Sequence, residues 1–165
     1  FSRRSLTHLL VGGVFERFPT LRVAVTEGSC IWVPEFLALL DHRYSAHHAN
    51  AKMGDFSQHL PLRPSDYFRR NVAVGASVLA RREVEMRAAI GVESIQWGSD
   101  YPHPEGSWPK TRAHLQKTFS GLPDADIAAV LGENAIAFYG FDRAALAPVA
   151  ARIGPARADF NTTTQ

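Results

Sequence analysis

Residues 96–108, the most informative part of the chain, read Gln96-Trp97-Gly98-Ser99-Asp100-Tyr101-Pro102-His103-Pro104-Glu105-Gly106-Ser107-Trp108. The apolar lead-in at 95–97 predicts a short strand, and the two prolines prevent a helix from starting directly after it. The strand therefore ends in a loop that carries a carboxylate, Asp100, and an imidazole, His103.

The position of Asp100 at a strand end suits catalysis. A rigid strand aims such a side chain, and the loop leaves it accessible to a substrate. A carboxylate there can bind a metal ion or move a proton. Aspartate, proline and glycine also favour turns for conformational reasons alone, so a turn without a catalytic role is the alternative interpretation.

Working outward from this loop, the sequence predicts strands alternating with helices. The predicted strands cover 21–26, 71–78 and 94–98, and the predicted helices cover 5–18, 33–48, 80–90, 108–119 and 123–139. This order is typical of parallel βα units. An all-parallel sheet needs both faces covered and usually has more than three strands, so the pattern indicates part of a larger sheet or barrel. We expect Glu27, Ser77 and Asp100, which follow or end the three strands, to lie at the same end of the sheet.

The composition excludes several classes of protein. The 165 residues are 45% hydrophobic and 21% charged, which is an ordinary globular mixture. A net charge of +2 gives no support to a nucleic-acid or anionic-membrane partner. Cys30 is the single cysteine, which excludes an internal disulfide and a zinc site made of several cysteines. No segment predicts a signal peptide or a membrane span, so a cytoplasmic location is expected.

The sequence divides into two regions. Residues 1–143 carry the strand–helix pattern, whereas residues 144–165 form a tail rich in alanine, proline and arginine that we expect to be partly disordered, above all at Asn161–Gln165. The first residue is Phe1 rather than methionine, which suits a piece of a longer protein.

Several segments together resemble the amidohydrolase-related family of metal-dependent hydrolases and decarboxylases. They are Gly13–Val23, Trp32–Asp41, Pro64–Asn71, Trp97–Gly106, Leu131–Ala135 and Tyr139–Phe141, in that order. The resemblance covers roughly residues 5–142. It implies an α/β fold that is the C-terminal part of a (β/α)8 TIM barrel, with about three parallel βα units and a C-terminal helix.

The resemblance also implies a chemistry. Asp100 matches the aspartate of strand eight, which in this family contacts the metal or takes a proton from the water that the metal activates. The whole enzyme would use a divalent metal, with zinc as the expected ion. Its small-molecule substrate would undergo hydrolysis of a C–N or C–O bond, or non-oxidative decarboxylation of an aromatic or unsaturated acid.

The sequence departs from the family in two ways. The family's metal site begins with a His-x-His pair, and no such pair occurs here. Glu27 stands where the sixth strand usually ends in a histidine. Glu27 could be a metal ligand, a contact to the substrate or the partner of an arginine, and of these we expect substrate binding. Because one or two carboxylates do not complete a zinc site, we expect the isolated chain to bind zinc weakly or not at all.

Two further expectations concern the site and its partners. His103, three residues after Asp100, is expected to bind substrate or to orient the aspartate, although loop histidines are often merely exposed. A homo-oligomer is compatible with the sequence. The alternative to an enzyme is a non-catalytic binding or assembly module that keeps the C-terminal part of the fold.

Overall fold

The computed structural model describes residues 2–50 and 59–160, which form a mixed α/β structure. The elements in chain order are α1 (Ser2–Val11), α2 (Val14–Arg17), β1 (Val23–Thr26), α3 (Val33–Asn50), α4 (Pro64–Asn71), β2 (Val72–Ser77), α5 (Arg81–Glu85), α6 (Arg87–Ile90), β3 (Ile95–Trp97), α7 (Thr111–Phe119), α8 (Asp124–Ala128), α9 (Asn134–Tyr139) and α10 (Arg143–Ile153). Short 3₁₀ turns occur at Val92–Ser94 and Arg157–Phe160, and a π-helical turn at Ala129–Glu133. None of the helices within the described residues is long and apolar enough to cross a membrane.

The three predicted strands are confirmed and form one parallel sheet in the order β1–β2–β3. Along the β2–β3 ladder, Val74 pairs with Ile95, Gly75 with Gln96 and Ser77 with Trp97. One residue of β2, Ala76, is therefore left out of the pairing, which defines a bulge. The expected fold class, a part of a (β/α)8 barrel, is confirmed.

The chain divides into two compact units, and the first contains Phe1–Val25 and Trp32–Ala73. Its core includes the buried side chains of Leu6, Leu10, Phe15, Tyr67 and Phe68. The buried amide of Asn71 donates hydrogen bonds of 2.9 and 2.7 Å to the backbone oxygens of Pro19 and Leu21. Asn71 directly precedes β2, and these two oxygens precede β1. The amide therefore ties together the segments that lead into the two strands.

The predicted helix over 5–18 is two helices, because the chain turns at Gly12-Gly13. Gly13 has a φ of 69°, a left-handed conformation that glycine adopts without the steric cost that a side chain would add. The apolar periodicity continues across this turn, which explains why the sequence pattern alone predicts one continuous helix.

The second unit contains Thr26–Ile31 and Val74–Gln165. Its buried apolar side chains include Leu79, Val84, Ile95, Phe119 and Val130. The Asn134 amide donates to the backbone oxygens of Val92 and Ile95, each at 2.7 Å. It thereby fixes the helical segment 124–139 against β3. The predicted helix over this segment is confirmed, although it contains the π-helical turn directly before Asn134.

The predicted tail, residue 144 onward, contains most of α10 and the last 3₁₀ turn. The guanidinium of Arg112 donates to the backbone oxygens of Ile153 and Gly154, at the end of α10. Phe160 is buried, and its ring meets that of Phe119 edge-on at 6.5 Å. The end of α10 and the last 3₁₀ turn therefore contact α7, whereas the rest of α10 is exposed. Asn161–Gln165, where disorder is expected, lie outside the described residues.

Candidate functional site

The ends of the three strands surround a cavity of about 460 Å³ in the second unit. Its lining includes Glu27, Ser77, Glu83, Asp100, His103 and Glu105. We call it the acidic cavity, because four of these six side chains are carboxylates and no lysine or arginine among the described residues lines it. The predicted juxtaposition of Glu27, Ser77 and Asp100 is thus confirmed, and His103 lies with them.

The backbone is strained at the end of each strand. Glu27 directly after β1, Ala76 within the end of β2 and Asp100 after β3 have φ values of 57°, 48° and 56°. They are the non-glycine residues with positive φ in the described part of the chain. Such conformations cost about 1–3 kcal/mol each and concentrate at functional sites, where the surrounding structure holds them in place. Two of the three, Glu27 and Asp100, place carboxylates at the acidic cavity.

The β2 bulge lies in close contact with the residue that follows β3. A Cβ on Gly98 would lie 2.8 Å from the backbone oxygen of Ala76, so only a glycine allows this close approach. The N–H of Gly98 donates to the backbone oxygen of Ser77 at 3.2 Å, just beyond the regular ladder. Bulges beside active sites typically redirect a side chain, and here the bulge delivers Ser77 to the cavity.

Asp100 and His103 are adjacent in space as well as in sequence. The Nδ1 atom of His103 lies 3.2 Å from Oδ2 of Asp100, and the His103 N–H donates to the backbone oxygen of Asp100 at 2.8 Å. The N–H of Glu105 also points to Nδ1, at 3.4 Å. A protonated Nδ1 can therefore interact with the Asp100 carboxylate, whereas an unprotonated Nδ1 accepts from Glu105. Both side chains are partly exposed, which gives them access to a substrate or to water.

The loop that presents these two side chains is closed on itself. The Ser107 N–H donates to the backbone oxygen of Ser99 at 2.9 Å, and the Gly106 N–H to that of His103 at 2.9 Å. A Cβ on Gly106 would lie within 2.9 Å of three backbone oxygens, those of Ser99, Asp100 and His103. These contacts hold Asp100 in place without a regular secondary structure.

Sequence reasoning missed Glu83, a buried carboxylate in the cavity wall. Its Oε1 accepts from the Cys30 N–H and its Oε2 from the Ala80 N–H, both at 2.8 Å. The position of Glu83 in the first turn of α5 indicates a capping role in sequence, but nothing there indicates the contact with Cys30. Burial, followed by the Glu83 charge and hydrogen bond, raises the pKa of the Cys30 thiol to about 12. The thiol therefore stays protonated, which argues against a nucleophilic role.

The donor set of the cavity fits part of a metal site. Carboxylates and an imidazole are ligands for zinc and for harder divalent ions. Within the described residues, however, no group of three or more histidine, cysteine, aspartate or glutamate side chains could hold a metal ion. The cavity could therefore contribute ligands to a metal site but does not complete one.

Comparison with known proteins gives one family and several solved structures. The family model for amidohydrolases matches residues 2–141. Among curated proteins, no match to the chain is found. The chain is similar to 5-carboxyvanillate decarboxylase LigW from Sphingomonas paucimobilis, with 25% identity over 86% of this chain and 40% of that one, at a TM-score of 0.63.

Two further structures are similar. An amidohydrolase from Mycobacterium avium subsp. paratuberculosis K-10 shares 26% identity over 82% of this chain and 32% of that one, with a TM-score of 0.64. A dihydroxybenzoic acid decarboxylase from Polaromonas sp. JS666 was solved with manganese and the inhibitor 2-nitroresorcinol. It shares 18% identity over 86% of this chain and 40% of that one, with a TM-score of 0.62. The last likeness concerns the fold alone. The chain spans between 32% and 40% of the lengths of these three proteins.

Proposed function

This chain belongs to the amidohydrolase family, and from that premise we propose that it forms the C-terminal part of the active site of a metal-dependent enzyme. The whole protein acts on a small molecule. Its reaction is hydrolysis of a C–N or C–O bond or non-oxidative decarboxylation of an aromatic or unsaturated acid.

One observation carries the proposal: Glu27 and Asp100 follow different strands, both have positive φ, and both line the acidic cavity. Strained conformations cost free energy and cluster at functional sites. Two strained carboxylates that line one cavity therefore indicate a functional site rather than two unrelated turns. The similarity to LigW, a decarboxylase, and to an amidohydrolase at 25% and 26% identity supports both reaction classes.

Each side chain has a distinct role in this proposal. Asp100 holds or transfers the proton, because its carboxylate is accessible and lies 3.2 Å from the imidazole of His103. His103 and Glu27 contact the substrate. Asp100 would also help to hold the divalent ion, zinc being the expected one, with the remaining ligands supplied from outside these 165 residues. When bound, such an ion polarises the substrate and lowers the pKa of water.

The negative charge of the cavity lining supports the binding of a cation there. The cavity is lined by Glu27, Glu83, Asp100 and Glu105, and no lysine or arginine from the described part of the chain joins them. Carboxylates brought together in this way repel one another and favour a positive partner. A divalent ion in the whole protein would provide that partner and would let an acidic substrate approach.

The proposal is tested by product analysis on the complete protein. Aromatic and unsaturated carboxylic acids are assayed for release of carbon dioxide, and amides, esters and lactones are assayed for hydrolysis. Each assay is repeated after treatment with a chelator and again after zinc or manganese is restored. We expect turnover in one of the two panels that the chelator abolishes and the metal restores. Turnover that survives the chelator, or no turnover in either panel, would contradict the proposal, and the second outcome would favour the non-catalytic binding module.

A further inference from the structure

A second cavity of about 530 Å³ lies next to the acidic cavity in the second unit. We call it the lysine groove, and its lining includes Val78, Glu105, Trp108, Lys110, His114 and Lys117. Val78 and Glu105 line both cavities. A ligand longer than one ring could therefore extend from one cavity into the other past these two shared residues.

The linings of the two neighbouring cavities differ in charge, because two lysines accompany Glu105 in the groove. Two of the three lysines in the whole sequence, Lys110 and Lys117, line the groove. His114, which lies between them, forms a 3.0 Å hydrogen bond from Nε2 to the backbone oxygen of Leu79. No ion pair within the described residues involves either lysine. The ammonium groups are thus available to an anion.

An exposed aromatic side chain forms another wall of the groove. Trp108 is 67% exposed, and its ring meets that of Tyr101 edge-on at 5.8 Å with an interplanar angle of 71°. The preceding residue, Ser107, is anchored to Ser99 by its backbone hydrogen bond. Aromatic side chains commonly line ligand pockets, and the exposed indole offers a face for stacking against a planar group.

We propose that the lysine groove binds the distal end of the substrate and that this end is an aromatic ring carrying an anionic group. The ring lies against Trp108, and the anion lies between the ammonium groups of Lys110 and Lys117. The reacting end of the same molecule occupies the acidic cavity, so this inference rests on the proposed function. The charges of Lys110 and Lys117 attract the anionic end to the groove.

The test measures binding of phenyl phosphate to the complete, chelator-treated protein by calorimetry and by the indole N–H signal of Trp108 in NMR spectra. Inorganic phosphate supplies the anion without the ring, and benzyl alcohol the ring without the anion. We expect phenyl phosphate to bind with a Kd on the order of 1 mM, tighter than either partial probe. Raising the salt concentration should weaken its binding, because exposed charges are screened.

Variants separate the two halves of the groove. Trp108→Leu should weaken phenyl phosphate binding about threefold to tenfold, because it removes the aromatic face. The double variant Lys110→Gln/Lys117→Gln should weaken it about tenfold and remove the salt dependence. Arg152→Gln, a change of an exposed cation on α10 outside both cavities, is the matched control and should bind as the unmodified chain does. All four proteins are compared by thermal unfolding to show that they are folded.

Three results would overturn the inference. They are no binding of phenyl phosphate, equal binding by the lysine double variant, and binding of inorganic phosphate as tight as that of phenyl phosphate. Each of them would refute the assignment of the groove as a binding site. Because turnover is not measured, none of them would affect the proposed reaction. Conversely, binding as expected together with a complete protein that turns over neither substrate panel would refute the reaction and, with it, the assignment of the groove to a substrate.

Discussion

The Oε1 atom of Glu83 accepts a hydrogen bond of 2.8 Å from the N–H of Cys30, which lies 53 residues earlier in the chain. The other carboxylate oxygen accepts from the N–H of Ala80. One buried side chain thus joins the loop after β1 to the loop after β2, at the wall of the acidic cavity. The strained conformation of Glu27 is found in the first of these loops.

Glu83→Gln should therefore destabilise the second unit. The amide NH₂ group of glutamine cannot accept a hydrogen bond, so either the Cys30 N–H or the Ala80 N–H loses its partner. Hydrogen bonds to a charged group contribute about 1.5–3 kcal/mol, and we expect a loss of that order in the free energy of unfolding measured with urea.

Glu85→Gln is the control for Glu83→Gln. Glu85 lies on the same helix and pairs with Arg81 at 2.8 Å, but its side chain is 55% exposed. Exposed pairs of this kind contribute about 0.3–0.5 kcal/mol. Equal effects of the two substitutions would show that Glu83 does not bridge the loops.

The Cys30 thiol gives a pH dependence of stability with a definite sign. Burial raises its pKa from 9.0 to about 12, so between these values the folded chain keeps a proton that the unfolded chain loses. The folded state then binds more protons, and stability falls as the pH rises. We expect the free energy of unfolding to be constant with respect to this group below pH 9 and to decrease from pH 9 to about 12.

Cys30→Ala isolates this contribution. Burial also raises the pKa of the Tyr67 hydroxyl from 10.0 to about 12, with further support from its hydrogen bond to Glu16. Ionisation of Tyr67 also lowers stability as the pH rises, but its effect begins near pH 10. Between pH 9 and 10 the alanine variant should therefore show a flatter pH dependence of stability than the unmodified chain. Identical slopes in that interval would mean that the Cys30 thiol ionises normally in the folded state.

Much of the fold could be predicted from local sequence signals. Short β-rich runs before Glu27, Gly98 and the polar end of β2 predicted three strands, and the structure has three at those places. The grouping of Glu27, Ser77 and Asp100 followed from strand direction alone, because parallel strands end at one edge. The strands could be predicted because each depends on residues that are neighbours in sequence, and the grouping because it needs only the common direction of the strands.

The features that the sequence did not predict depend on contacts between distant residues. The Ala76 bulge exists because β2 and β3 pair out of step after Gly75, which no pattern within β2 reveals. The contact of Glu83 with Cys30 likewise requires two loops to meet. The turn at Gly12-Gly13 was missed for a different reason, since apolar periodicity outweighed the glycines in the prediction.

Two glycine substitutions should have opposite effects on stability. Gly98→Ala would place a Cβ 2.8 Å from the Ala76 backbone oxygen, which cannot move without disturbing the bulge. A loss of about 1–3 kcal/mol is expected, as for other overpacked sites. Gly132→Ala meets no heavy atom within 4 Å and lies in a helical segment, where alanine is favoured by up to about 1 kcal/mol. Thermal unfolding of both variants measures the difference, and a harmless Gly98→Ala would argue against the tight β2–β3 approach.

Metal removal gives a separate test of the incomplete donor set. We expect the isolated 165-residue chain to lose zinc on dialysis, because structural and catalytic zinc sites use three or four protein ligands and the described residues provide no such group. Elemental analysis after dialysis measures the zinc that remains. One tightly held zinc ion per chain would contradict this expectation and would show that the acidic cavity is a complete metal site.

The strongest test of the site is Asp100→Asn in the complete protein. Asparagine keeps the size of the side chain and, like aspartate, tolerates the positive φ of 56° at this position. The substitution therefore removes the negative charge without adding backbone strain. If Asp100 moves a proton during the reaction, the rate constant should fall by about 10²–10⁴.

Kinetics and stability together separate catalysis from folding in this variant. The KM should change much less than the rate constant, because the lost interaction is made in the transition state. Glu93→Gln, a change of an exposed carboxylate outside the acidic cavity, should leave both values unaltered. If Asp100 served only the turn, the asparagine variant would unfold at a lower temperature and retain full turnover. That combination, measured on one purified sample, would end the catalytic assignment of Asp100.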